Sequence, residues 1–72
     1  MSNPSNQDLM LEMASRLAIR TAAYHEARMR MDKFGGRDNE LEARMAYIAM
    51  CDTQDAMNRY AEAVATARLM VE

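Results

Sequence analysis

The side chains able to do acid–base, nucleophilic or metal chemistry are few and scattered along the chain. One histidine, His25, stands in Tyr24-His25-Glu26, and one cysteine, Cys51, ends the apolar run that starts at Met45. A general base needs a substrate pocket and an orienting partner. Glu26 and Arg20 or Arg28 could supply the partner only if a second chain closed a pocket around them. A single His and a single Cys on opposite sides of a glycine pair match no zinc spacing. Asp52 and Asp55 lie three apart on one helix face, with Glu62 further along, and read as a solvated face. Cys51 has no basic neighbour in sequence to lower its pKa and reads as a small buried hydrophobe. No glycine-rich loop is available to cradle a phosphate. The expectation is a chain with no catalytic residues, no metal and no cofactor.

The basic residues are more concentrated. Arg16, Arg20, Arg28, Arg30, Lys33, Arg37 and Arg44 gather in the first half and around the glycines, and Arg16, Arg20 and Arg30 could form a stripe for phosphates. Asp32, Asp38, Glu40 and Glu42 sit among them, and the formal net charge of the chain is −2. A salt-bridged solvent face is the simpler expectation. Nucleic-acid binding by the first-helix arginines of a dimer is the alternative.

These side chains need a scaffold, and the sequence specifies one of low complexity. There are 72 residues, half of them apolar, with two glycines and one proline. Ser5-Asn6-Gln7-Asp8 has the form of a capping box, with a serine cap and a carboxylate three residues on. No helix breaker follows until Gly35-Gly36, which supply the positive φ that ends a helix and reverses the chain. Beyond Arg37, Asp38 or Asn39 can cap a second helix, with Glu40 and Glu42 favouring its dipole. Alanine, methionine, leucine, glutamate and arginine dominate both stretches, and all are strong helix formers. The predicted fold is all-α: a single helical-hairpin domain over 1–72, with helices at about 6–34 and 39–71 and a turn at 35–37.

The apolar spacing supports antiparallel pairing of the two arms. The second helix carries Ala43, Met50, Met57, Val64 and Val71 in one seven-residue row and Ala46, Thr53, Tyr60 and Ala67 in another. Ala49, Ala56, Ala63 and Met70 flank them. The first helix answers with Met10, Leu17, Tyr24 and Met31, flanked by Met13, Ala14, Thr21 and Ala27. A turn near Gly36 sets Tyr24 opposite Met50, Leu17 opposite Met57 and Met10 opposite Val64.

Apolar residues are left over. Met45–Cys51 is apolar for two turns, and a helix that is apolar all round is expected to be covered all round. Leu41, Met45 and Ile48 fall away from the seam, as do Ile19, Ala22 and Met29. A hairpin this short gains little from its own core. The expectation is therefore a homodimer forming a four-helix bundle, or a docking surface for another protein. Ile19, Ala22, Met29, Leu41, Met45, Tyr47 and Ile48 are its candidate contacts, and Arg28, Arg30 and Arg37 its polar rim. Nine methionines suit a surface that adapts to a partner.

No apolar run approaches the ~18 residues of a membrane span, and Met1-Ser2-Asn3-Pro4-Ser5 lacks the features of a signal peptide. A cytoplasmic location is expected, with no membrane partner. The functional expectation is a non-enzymatic interaction protein of the small phage- or plasmid-borne accessory type. It would bind a host protein and inhibit or bridge it. In size class and architecture the chain resembles the plasmid copy-control RNA-binding hairpins, without a shared residue motif. Phe34-Gly35-Gly36 resembles, without its tryptophan, the Trp-x-Gly turn of the secreted WXG-type hairpins.

Overall fold

The computed structural model of the chain describes residues 5–71. Helix α1 runs Asn6–Phe34 and helix α2 runs Arg37–Val71, and among the described residues there is no strand. At about 1.5 Å per residue the 29 and 35 residues give rods of about 44 and 52 Å, matching the 54 Å long axis of the molecule. The two rods lie side by side as a helical hairpin, 26 Å wide and 14 Å thick.

Local chemistry sets each end. The Ser5 hydroxyl accepts from the Asp8 backbone N–H at 3.1 Å, and the Asp8 carboxylate accepts from the Ser5 N–H at 3.4 Å. Two donors at the start of α1 are thereby satisfied reciprocally. At the other end Gly35 has φ 64° and ψ −156°, a region essentially reserved for glycine, and Gly36 has φ 89°. The Gly35 N–H donates to the Met31 carbonyl at 2.8 Å, closing α1.

Helix α2 starts at Arg37, two residues earlier than the sequence suggests. The Gly36 carbonyl accepts its first bond, from the Glu40 N–H at 3.1 Å. Asn39 turns backwards and donates through Nδ2 to the Gly35 carbonyl at 2.8 Å. The reason is the pair of positive φ values, which swings the chain into the second helix with no further linker. Asn39 thus ties the two helices together at the turn.

The seam follows the expected first-helix rows: Met10, Met13, Ala14, Leu17, Thr21, Tyr24 and Met31 are half-buried and Ala27 is buried. On α2, Ala43 and Thr53 are buried, and Ala46, Met50, Met57, Tyr60 and Val64 are half-buried. The flanking row departs from expectation. Ala49 is half-buried, but Ala56, Ala63 and Met70 are exposed, as is Ala67. A seven-residue row drifts by ~20° per heptad around a straight helix. By the far end these residues have rotated out of the seam, and Ala61, four residues before Ala65, is half-buried near it. The side chain of Val71 and residues Met1–Pro4 lie outside the described residues.

Candidate interaction surface

The core that results is small. Only Ala27 (3% exposed), Ala43 (5%) and Thr53 are buried among the described residues, and no large side chain is fully enclosed. Small residues near the turn let the two helices approach closely, at the expense of apolar area removed from water.

Several large apolar residues stand outside the seam. Leu41, Met45 and Ile48 are 55%, 62% and 52% exposed, and Ile19 and Met29 are 69% and 70% exposed. Their positions divide them. Leu41, Met45 and Ile48 fall within a narrow stripe on the side of α2 facing away from α1. At 100° per residue the stripe spans about 60°. Leu41 borders a shallow hollow formed entirely from α2, with Arg37, Glu40 and Arg44. Ile19, Ala22 and Met29 occupy the outer side of α1, also exposed. Met29 and Phe34 share a hollow built from α1 alone, where the Lys33 ammonium lies 5.4 Å from the Phe34 ring centroid. The candidate contacts therefore form two surfaces on opposite edges of the hairpin.

Tyr47 belongs to neither edge. Its ring meets that of Tyr24 across the seam, with centroids 5.3 Å apart and planes at 56°. It is still half-exposed, and the neighbouring Cys51 side chain one turn on raises its pKa above the usual tyrosine value. Cys51 itself is half-buried. His25 is exposed, with its ring 5.6 Å from that of Tyr24. Among the described residues no group of three or more His, Cys, Asp or Glu is placed to hold a metal ion.

Most of the arginines are already engaged. Arg16 pairs with Glu12 at 2.8 Å, and Arg30 with Glu26 at 3.9 Å and across the seam with Glu42 at 3.4 Å. Arg28 donates to the Tyr24 hydroxyl at 3.2 Å and pairs with Asp32 at 3.6 Å. The tyrosine bond first, and then the aspartate, raise its pKa further. These exposed pairs are screened by solvent and contribute little to stability. They neutralise charge along the stripe of Arg16 and Arg30 that the sequence suggests for phosphates. Arg37, named as rim, and Arg44 have no ion pair among the described residues, nor does Asp52.

One cross-seam contact escaped the sequence reading. Arg20 Nη1 donates to Thr53 Oγ1 at 2.5 Å, and that hydroxyl donates to the Ala49 carbonyl at 2.8 Å. The signal was present: Met13, Arg20 and Ala27 are seven apart, so Arg20 belongs to a seam row, and Thr53 is the polar member of its own. A polar layer in an apolar seam fixes register.

No helix among the described residues is long and apolar enough to cross a membrane. No family model, curated protein or solved structure matches the chain.

Proposed function

We propose that this hairpin is a non-enzymatic protein-interaction module that self-associates into a four-helix bundle and, as a dimer, holds another protein so as to block or bridge it. The concrete version of this reading is a small phage- or plasmid-type accessory protein acting on a host protein. The observation that carries the reading is the distribution of side-chain size: only alanines and a threonine are fully buried, the larger seam residues are half-buried, and Ile19, Met29, Leu41, Met45 and Ile48 are exposed. The surface area agrees. A folded monomer of this mass exposes about 4,500 Å², by the usual scaling, whereas this chain exposes 6063 Å². The excess is more than the roughly 800 Å² each partner contributes to a standard interface. The radius of gyration, 16.5 Å against about 11 Å for a compact chain of this length, reports the same deficit.

The experiment is to substitute Met45→Asp and Ile48→Asp and measure mass by light scattering beside helix content by circular dichroism. The reading predicts that both variants lose association while remaining helical once folded at high concentration. Unchanged mass and unchanged partner capture in both would contradict it. A mobility-shift titration at two salt concentrations tests the nucleic-acid alternative. Binding that weakens steeply with salt would move the function to the arginines.

A further inference from the structure

The outer stripe of α2 carries a charge pattern as well as apolar residues. Arg37, Leu41, Arg44 and Ile48 follow one another at intervals of four, three and four, so they share one side of the helix. The same side continues through Asp52 and Asp55. Arg44 and Asp52 each lie four residues from Ile48, in opposite directions, hence about 6 Å to either side of it. Neither has an ion pair within the chain among the described residues. Arg37 is likewise unpaired, and Asp55 is held only by the exposed Arg59 at 3.0 Å. The chain is thus basic at Arg44 just before Ile48 and acidic at Asp52 just after it, at matching offsets.

Such a pattern is complementary to itself when reversed. In a two-fold interface each residue meets its mate across the axis, and an antiparallel helix pair turns the basic segment of one chain onto the acidic segment of the other. On the self-association reading above, we propose that the occupant of this stripe is the same stripe of a second copy, running antiparallel about a two-fold axis near Ile48. Ile48 meets Ile48 of the partner subunit. Met45 closes over the axis from both sides, and Leu41 lies about 10 Å along the helix from it. Arg44 faces the partner subunit's Asp52, and Asp52 the partner subunit's Arg44. The two α2 helices then form the centre of a row of four helices and the two α1 helices its edges, a flatter form of the four-helix assembly than a closed bundle. The exposed Ile19 and Met29 then stay on the surface of the dimer, as the face left for a different protein. The outer edge of α1 shows no equivalent pattern: Glu12 pairs with Arg16 and Glu26 with Arg30 along it.

Symmetric cross-linking tests the arrangement. In full-length chain with Cys51→Ser, a cysteine at the axis is juxtaposed with its own copy, within the 7 Å Cα separation that a disulfide spans. The variants Ile48→Cys, Ile19→Cys and Met29→Cys all alter exposed positions, so each is expected to fold. Under mild oxidation Ile48→Cys gives a covalent dimer as the main product, at least tenfold faster than the other two. Charge reversal supplies a second readout. Arg44→Asp and Asp52→Arg each weaken the dimer in light scattering, and the two together restore it. A dimer that cross-links through Ile19→Cys or Met29→Cys, or whose double reversal stays weak, overturns this interface while leaving self-association intact. A single-chain mass for the unsubstituted protein removes both.

Discussion

The two sides of α2 make opposite use of the same kind of residue. Towards α1, near the turn, the helix presents Ala43 and Ala46, with Thr53 beyond. Away from α1, over the same turns, it presents Leu41, Met45 and Ile48. A helix that served only its hairpin would have these reversed, with bulk inside and small or polar residues outside. Small residues inside bring the backbones together and allow the ring contact of Tyr24 with Tyr47 and the short reach of Arg20 to Thr53. They also leave the apolar area that could stabilise the fold unspent on the outer side. On the proposed self-association, close approach within the hairpin and association between hairpins are two parts of one arrangement.

The comparison can be broken most sharply by exchanging the two sizes. Ala43→Leu forces a large side chain into a seam with no room and is expected to cost about 1–3 kcal/mol, read as a lower thermal midpoint. Leu41→Ala on the outer side leaves the hairpin itself within about 0.5 kcal/mol, and its effect appears as a changed concentration dependence of the midpoint. A neutral Ala43→Leu with a strongly unfolding Leu41→Ala would reverse the roles assigned to the two sides.

The turn gives the next largest effect. A Cβ at Gly35 would meet no atom within 4 Å, so the cost of Gly35→Ala is that of the backbone conformation alone. About 1–2 kcal/mol is expected, measured by denaturant unfolding. Loss of the close inner packing follows if the turn relaxes.

The smallest effect sharpens the boundary between the sides, where Tyr47 stands. Its pKa is raised, so folding favours the protonated phenol. That contribution is fully present below the ordinary tyrosine value of about 10 and is lost as pH rises through the higher folded value. An ultraviolet titration should show one tyrosine ionising late, and Cys51→Ala should bring it back towards normal. A late tyrosine that ignores Cys51→Ala would place the cause elsewhere.

Much of the hairpin was legible because its determinants are local. Ser5 with Asp8 marks a helix start, and paired glycines end one helix and begin another whatever surrounds them. The start of α2 was legible only to within two residues, since positive φ at both glycines removes the need for a capping side chain. The distal seam was misread for a geometric reason. A strict seven-residue count keeps Ala63 and Ala67 at the interface, but a straight helix carries them away from it. Arg20 was assigned to solvent by its charge, although its spacing placed it in the seam with Thr53. The outer contacts were visible as leftover apolar residues. Their division between two edges was not, because periodicity within one helix says which residues share a side but not where that side lies relative to the other helix.

The central claim is that the exposed bulk of α2 is covered by a second copy of the chain. The most direct measurement is absolute mass by size-exclusion chromatography with light scattering, over a concentration series. A mass that holds near twice the chain's 8.2 kDa as the protein is diluted is the result expected. A helical protein of single-chain mass at every concentration would contradict it.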